Sequence, residues 1–143
     1  MVKKDIKKIL VPLDGSKNSL EGLDKAIFLA RRCNSTITTL CVIPSYPPLP
    51  LMGKQVPYEK NILEHTKKFM SVAKKTCVRN GIKFNEKIIK GVATLDISKF
   101  ASDNKFDLIV MGSRGMSPIK ELFLGSVSNA VIHKSKVPVL VVK

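Results

Sequence analysis

The sequence predicts an α/β protein in which a parallel sheet of five strands carries helices on both faces. Short apolar runs rich in β-branched residues alternate with amphipathic helical patterns along the whole chain. Several of the runs are unbroken, as expected for strands that are buried on both faces. The length of 143 residues, with 44% hydrophobic and 25% charged residues, predicts a single domain over residues 1–143.

The first strand and helix are predicted between residues 8 and 34. Lys8 to Asp14 is an apolar run that ends in a carboxylate, and Gly15-Ser16 after it predicts a turn. A helix is expected from about Lys17 to Cys33, with Asn34 as its stop. Apolar residues recur there at helical spacing and give the helix its apolar stripe, which consists of Leu20, Leu23, Ile27 and Ala30.

The middle of the chain predicts a strand, a loop and a long helix. Thr36 to Ile43 is rich in β-branched residues and predicts the second strand. Five prolines between Pro44 and Pro57 favour an extended loop, at the rim of a site or at an interface, over a polyproline ligand. A helix is predicted from Tyr58 to Asn80, with Gly81 after its end. Its predicted apolar face consists of Tyr58, Ile62, Phe69, Val72 and Ala73.

The last part of the chain predicts three strands and two helices. Lys83 to Lys90 predicts the third strand, and a short helix follows from Thr94, as its cap, to about Ser102. Leu108 to Met111 is an unbroken apolar run and predicts a buried fourth strand. The pattern from Val127 to Ser135 predicts the last helix, and Val139 to Val142 predicts the last strand.

Three glycines between the fourth strand and the last helix predict a phosphate-binding loop. Gly112 ends the strand, Gly115 follows it, and Gly125 opens the helix, where Ser126 and Ser128 add hydroxyl donors. Glycine lets a backbone approach a ligand closely, and a helix N-terminus offers unpaired N–H groups to an anion. The alternative is that these are ordinary turn and cap glycines. The pattern is not a Walker A loop, because no Gly-Lys-Ser/Thr follows.

Asp14 is the candidate partner of this loop. In doubly wound sheets, ligands bind beyond the carboxyl ends of the strands, where the strand order reverses. If the first and fourth strands are neighbours, Asp14 and Gly112 face one crevice. A nucleotide fits such a crevice, since a carboxylate accepts hydrogen bonds from ribose hydroxyls while the loop holds phosphates. Alternatively, Asp14 caps the first helix or braces the Gly15-Ser16 turn.

The cysteines and the lengths of the apolar runs predict a cytoplasmic protein. Cys33, Cys41 and Cys77 are odd in number and form no Cys-x-x-Cys pair, so buried thiols in a reducing compartment are expected. No apolar run approaches the ~20 residues that span a bilayer, so no membrane association is expected. The basic start of the chain lacks the apolar core of a signal peptide.

The net charge of +14 is the unusual bulk property. Strong positive charge raises the affinity for any polyanion, including nucleic acid. Only four of the 25 basic residues are arginines, however, and the lysines are spread along the chain in pairs. Arginine is the better residue for bidentate recognition of bases and phosphates. A lysine-rich solvated surface is therefore favoured, and nonspecific binding of nucleic acid is the less favoured alternative.

Three segments resemble the universal stress protein family. They are Val11 to Ser16, Met111 to Gly115, and Gly125 to Ser128, and the final strand is also similar to that of the family. The resemblance covers essentially the whole chain. The Gly-x-x-Gly-x₉-Gly-Ser spacing resembles the branch of the family that binds ATP. One departure is Val92, where family members often have proline, and it should alter only the wall near the adenine.

The resemblance implies a five-stranded, Rossmann-like sheet and a homodimer that associates through Val139–Val142. It also implies an ATP molecule across the first and fourth strands, with Mg²⁺ or Mn²⁺ on its phosphates. By position, Pro12 and Leu13 would line the adenine pocket and Val42 would offer backbone groups to adenine. Asp14 and Gly112 would meet the ribose, and Gly115 and the start of the last helix would hold the phosphates. The implied nucleotide-binding residues are Pro12, Leu13, Asp14, Val42, Met111, Gly112, Arg114, Gly115, Gly125, Ser126, Val127 and Ser128.

Little in the sequence predicts catalysis. His65 and His133 have no evident partner and are interpreted as ordinary helix residues. Arg114 and Lys120 could supply charge, but no residue is seen to orient a water, so any hydrolysis of ATP is predicted to be slow. We favour an ATP-binding stress-response or regulatory protein with an unknown protein partner, in which the γ-phosphate orders the 113–124 loop. A slow ATPase and a lysine-rich polyanion-binding protein are the alternatives, in that order.

Overall fold

The computed structural model describes residues 5–45, 56–115 and 124–143, without the side chains of residues 56–59. Strands and helices alternate along these ranges, close to their predicted positions. The strands are β1 (Lys8–Pro12), β2 (Thr36–Pro44), β3 (Lys83–Gly91), β4 (Leu108–Gly112) and β5 (Val139–Val142). The helices are α1 (Lys17–Cys33), α2 (Val56–Arg79), α3 (Ala93–Asp103) and α4 (Ser126–Lys134).

The strands form one parallel sheet in the order β3-β2-β1-β4-β5. β1 pairs with β2 from Lys8 opposite Thr36 to Pro12 opposite Leu40, and it pairs with β4 on its other side. The chain therefore builds outward from β1 through β2 and β3, and then returns to add β4 and β5 on the opposite side. This reversal opens a crevice at the carboxyl ends of β1 and β4. The predicted Rossmann-like α/β fold is confirmed.

Hydrophobic clusters cover both faces of the sheet. Successive side chains of a strand point to opposite faces, so each central strand contributes to both clusters. On one face, Val11 belongs to a cluster with Leu23 of α1 and Met70 of α2. On the other face, the strands share a cluster with Ile97 of α3 and Val131 of α4. Burial on both sides explains why the runs of β1 and β4 are apolar without alternation.

The two edges of the sheet differ in charge. β3 forms one edge and carries Lys83, Glu86, Lys87 and Lys90. β5 forms the other edge, consists only of valine and leucine, and leaves Leu140 37% exposed. Charged side chains on an edge strand oppose pairing with another sheet. By composition, β5 is the edge that is open to association.

The predicted interior face of α2 was wrong at one position. Val72 is 54% exposed. Ile62, Phe69 and Ala73 pack on the core as predicted, and Thr66, Met70 and Cys77 are buried on the same helix. The helix begins at Val56, so the predicted loop over 44–57 was too long at both ends, because Pro44 also closes β2. Residues 46–55 of that loop and the side chain of Tyr58 lie outside the described part of the chain.

The start of α3 also differs from the prediction. Its N-cap is Val92, which makes no side-chain capping bond, and not Thr94. Asp96 replaces the missing cap, since its carboxylate accepts a hydrogen bond of 2.6 Å from the N–H of Val92. The carboxylate of Asp96 also lies against the α-carbon of Gly91. A carboxylate in the first turn satisfies the free N–H group there and complements the helix dipole.

The predicted end of the first helix is confirmed. Asn34 ends α1 in the left-handed conformation, with φ 55°. Cys41 and Cys77 are buried free thiols, as predicted, whereas Cys33 is only half-buried. Among the residues described, no helix is long and apolar enough to cross a lipid bilayer.

Candidate functional site

A cleft of about 180 Å³ opens at the crevice between β1 and β4. All twelve residues predicted from the sequence line it. The structure adds four lining residues that the sequence did not single out: Ser19, Leu40, Ala93 and Ile97. Ala93 and Ile97 come from the first turn of α3, so that helix forms a wall of the cleft. Their signal in the sequence, a small residue and an apolar one in a short helix, is shared by many core positions.

The inner part of the cleft is apolar. Pro12, Leu13, Leu40 and Met111 are buried, and Val42 is half-buried beside them. Pro12 ends β1, Leu13 follows it, and Met111 is next to last in β4. Leu40 lies opposite Pro12 in the middle of β2, and Val42 lies two residues farther along β2. An apolar slot of this kind accepts a flat ring with its faces against aliphatic side chains.

The two carboxylate oxygens of Asp14 have different surroundings. One carboxylate oxygen, Oδ1, accepts a hydrogen bond of 2.9 Å from the N–H of Ser16 and so braces the turn. Ser16 in turn is the N-cap of α1, and its hydroxyl accepts from the N–H of Ser19 at 3.1 Å. The bracing role considered as an alternative is therefore real. It uses one oxygen, while the other, Oδ2, faces Gly115, where an added Cβ would lie 2.5 Å away.

Gly112 allows the loop to pass close to α1. A Cβ on Gly112 would lie 2.6 Å from the side-chain oxygen of Asn18 and 2.7 Å from its backbone oxygen. Since a backbone atom is involved, no rotation of a side chain could relieve the overlap. Any other residue at this position would move the end of β4 away from the first turn of α1. The glycine thus sets the position of the loop relative to the helix.

The N-terminus of α4 faces the same cleft. Gly125 is the N-cap, and its N–H donates to the carbonyl oxygen of Ser113 at 2.7 Å, which ties the helix start to the loop after β4. In the described ranges, no acceptor is bonded to the N–H groups of Ser126, Val127 or Ser128. Free N–H groups at the positive end of a helix favour an anion.

The two serines at this helix start have different roles. Ser126 is exposed at the cleft. Ser128 is buried, and its hydroxyl donates a hydrogen bond of 2.8 Å to the carbonyl oxygen of Gly112. The expectation that both hydroxyls are donors to a ligand was therefore wrong for Ser128, because its proton is already used within the protein. That bond joins α4 to the end of β4.

Among the described residues, the charged side chains that line the cleft are those of Asp14 and Arg114. Arg114 is exposed, and its N–H donates to the side-chain oxygen of Asn18 at 2.8 Å. Lys120 and most of the predicted 113–124 loop lie outside the described residues. Below the cleft, burial raises the pKa of the Cys41 thiol to about 11, and the negative charge of Asp14 adds to the rise. A hydrogen bond with Thr66 opposes it.

The histidines do not assemble a catalytic site. His65 is exposed and stands edge-on to Phe69, with ring centroids 5.6 Å apart, next to Gly15. His133 is exposed in the last turn of α4. Over residues 5–45, 56–115 and 124–143, no group of three His, Cys, Asp or Glu side chains could hold a metal ion.

A doubly wound parallel sheet with a glycine-lined cleft at its switch point defines a Rossmann-like α/β protein. Comparison with known proteins gives its family. The universal stress protein family model matches residues 5–143, and the chain belongs to this family.

Relatives match over nearly the full chain. Universal stress protein MJ0531 of Methanocaldococcus jannaschii is 34% identical over 139 residues, which is 96% of this chain and 82% of that protein. The structure of MJ0577 from the same organism superposes with a TM-score of 0.85 at 33% identity and covers 96% of each chain. A universal stress protein solved in complex with cAMP superposes with a TM-score of 0.72 at 25% identity, over 97% of this chain and 98% of its own.

Proposed function

We propose that this chain binds an adenine nucleotide, ATP in the first place, and acts as a nucleotide-dependent stress-response or regulatory protein. One observation carries the proposal. Asp14, the backbone of Gly112 to Gly115 and the unpaired start of α4 converge on one cleft at the switch point of the sheet. The cleft thus combines an apolar slot, a carboxylate and an anion-binding helix end, which are the three chemical needs of a nucleotide.

The residues present fit such a ligand. The apolar slot around Leu13 and Val42 would hold the adenine, with backbone groups of Val42 reading its edge. The free oxygen of Asp14 would accept from the ribose hydroxyls, near Gly112. The phosphates would lie against Gly115 and Gly125 and would accept hydrogen bonds from the N–H groups of residues 126–128. A Cβ at Gly115 would fill the space in front of Asp14, so the glycine keeps that space open for the ligand.

A relative supports the choice of adenylate. The universal stress protein in complex with cAMP has the same fold at 25% identity, so an adenine nucleotide is a ligand within this family. The loop after β4 (residues 112–115) and the start of α4, which together form the cradle, both line the cleft, so two groups of backbone N–H donors would be offered to the phosphates. We therefore place ATP ahead of monophosphates.

The same residues bear on where a divalent ion would bind and on how fast ATP would be hydrolysed. Mg²⁺ binds through few protein carboxylates and several phosphate oxygens, so Mg²⁺ or Mn²⁺ would bind on the phosphates and would neutralise their charge. Among the described residues, the lining of the cleft supplies one carboxylate, Asp14, and no histidine. None of these described residues is placed to activate a water, so we propose that turnover is slow and that binding itself is the function.

The proposed functional unit is a cytoplasmic homodimer. β5 is the uncharged edge of the sheet, and its exposed Leu140 supports association of two copies along Val139–Val142. A protein partner would then read the nucleotide state of the dimer.

The test is a calorimetric titration of ATP with Mg²⁺ into protein that has been stripped of copurified nucleotide. Saturable binding that is lost in Gly115→Val is expected. Absence of binding, together with no nucleotide released on denaturation, would mean that the glycines are structural. Multiple-turnover release of phosphate, abolished by Ser126→Ala, would instead favour the ATPase alternative.

A further inference from the structure

Asn18, in the first turn of α1, lies at the junction of the cleft and the last strand. Its Oδ1 accepts a hydrogen bond of 2.8 Å from the N–H of Arg114 and a weak one of 3.4 Å from the hydroxyl of Ser113. Its Nδ2 donates to the carbonyl oxygen of Val142, at the end of β5, and to Glu21, both at 3.2 Å. A single side chain thus bridges the loop after β4, the end of β5 and α1.

The same loop is bonded to β5 directly. The N–H of Ser113 donates to the carbonyl oxygen of Val142 at 2.8 Å, so that oxygen accepts from both Ser113 and Asn18. The carbonyl oxygen of Ser113 accepts from the N–H of Gly125 at 2.7 Å, at the start of α4. The end of β5, the loop and the start of α4 therefore form one hydrogen-bonded chain, with Asn18 bonded to its first two members.

The chemistry of the junction requires an amide. The backbone of Arg114 presents a donor and the backbone of Val142 presents an acceptor, which fixes the orientation of the amide between them. A carboxylate only accepts, so Asp at this position would oppose its oxygen to the carbonyl of Val142 and the carboxylate of Glu21. An aliphatic side chain satisfies neither backbone group. Asn supplies both bonds at a length that also fits against Gly112.

We propose that Asn18 is the positioning residue of the nucleotide cradle and couples its occupancy to the carboxyl end of β5. The inference rests on the proposed nucleotide function. A ligand whose phosphates hold residues 113–115 in place also fixes Asn18, because Asn18 accepts the hydrogen bond from the N–H of Arg114. Asn18 in turn donates to Val142, so the end of β5 is fixed as well. Reciprocally, whatever fixes β5 favours the bound conformation of the loop, since coupling between two sites acts equally in both directions.

Amide exchange by NMR tests the coupling at its two bonds. The N–H of Arg114 reports its bond to Asn18 directly. The N–H of Ser113 donates to the same carbonyl oxygen of Val142 as Asn18 does, so its exchange reports how firmly that oxygen is held. The variants are Asn18→Leu, which removes the bonds from Asn18 to Arg114 and to Val142, and the isosteric Asn18→Asp, which keeps the acceptor for Arg114 and removes the donor to Val142. The matched control for added charge is Asn129→Asp, at an exposed position on α4 whose side chain makes no hydrogen bond among the described residues.

A pattern of exchange is expected without nucleotide. Loss of one hydrogen bond should speed local exchange about 10-fold. Asn18→Leu should speed exchange of the N–H groups of both Arg114 and Ser113. Asn18→Asp should speed exchange at Ser113 alone, and Asn129→Asp should change the rate at neither position. Equal acceleration at both positions by Asn18→Asp, or acceleration spread over the whole sheet, would overturn the inference, because a general loss of stability would explain it.

Titration with Mg-ATP then separates the inference from the proposed function. In the unchanged protein, saturating Mg-ATP should slow exchange at Ser113 as well as at Arg114. In Asn18→Leu the affinity for Mg-ATP should fall about 10-fold, because the loop loses the hydrogen bond that orients it. Equal affinity of Asn18→Leu and the unchanged protein would overturn the role of Asn18 and leave the proposed function standing. Absence of binding in the unchanged protein would overturn the proposed function, and the exchange pattern would still decide whether Asn18 positions the loop.

Discussion

Replacement of Gly115 by alanine should weaken nucleotide binding without unfolding the protein. The added Cβ would lie 2.5 Å from Oδ2 of Asp14, whereas ordinary contact begins at 3.4 Å, so the carboxylate must move by about an ångström. Asp14 is exposed, and the atom that must move is the end of a side chain. The free energy of unfolding should therefore change by less than about 1 kcal/mol.

The Gly115→Ala substitution should mainly lower the affinity for the nucleotide. Rotation of Asp14 removes the hydrogen bonds that its free oxygen would accept from the ribose, and hydrogen bonds to a charged group contribute about 1.5–3 kcal/mol. The dissociation constant for Mg-ATP should rise about 10- to 100-fold. Calorimetric titration measures the affinity, and urea denaturation of the same samples measures the stability.

Gly81→Ala is the matched control. Gly81 lies in the turn between α2 and β3 with φ +70° and no atom within 4 Å of the added Cβ, so the substitution should cost about 1 kcal/mol of stability through backbone strain. Its affinity for Mg-ATP should stay unchanged, because the turn is far from the cleft. If Gly115→Ala binds Mg-ATP within about twofold of the unchanged protein, the free oxygen of Asp14 does not contact the nucleotide.

Four further predictions concern stability, titration and assembly. Gly112→Ala should lower the free energy of unfolding by about 1–3 kcal/mol in urea, because the Cβ meets the backbone of α1. Ser128→Ala should lower it by about 1–2 kcal/mol through the lost bond to Gly112, and a change near zero would contradict that role. Burial raises the pKa of Cys41 and of Cys77 from 9.0 to about 11, so these thiols stay protonated when folded, and the urea midpoint should fall as the pH rises from 9 to 11. A midpoint that is constant over that window would show that both thiols titrate normally. Leu140→Lys should leave the fold intact and abolish dimers in sedimentation, and dimers that persist would place the interface elsewhere.

The fold was predictable because its signals are local. Unbroken apolar runs at β1 and β4 reflect burial on both faces, and the glycines at 112, 115 and 125 reflect backbone that passes close to other atoms. The twelve predicted residues come together because parallel strands bring their carboxyl ends to one edge. Their roles toward a nucleotide stay a prediction until binding is measured.

The errors arose where a pattern has two equally good solutions. Val72 fits the helical period of α2, but the buried face of the helix is centred on Met70 and Cys77, which leaves Val72 in solvent. Thr94 is a better cap than Val92 by residue type, yet Asp96 supplies the capping acceptor from inside the first turn.

Asn18 was missed for a different reason. An asparagine near a helix start ordinarily satisfies local N–H groups. Its partners Arg114 and Val142 are 96 and 124 residues away, so only the assembled sheet reveals them.

The contrast between the two sheet edges limits how far the protein assembles. If two copies pair along β5, the uncharged edge of each copy is covered by the other. The outer strands of the pair are then both β3, and each carries three lysines. A third copy would meet only a charged edge, on which three lysines outnumber one glutamate. Growth would stop at a closed pair with twofold symmetry and would not continue into a fibre, even at the high local concentrations that favour edge-to-edge aggregation.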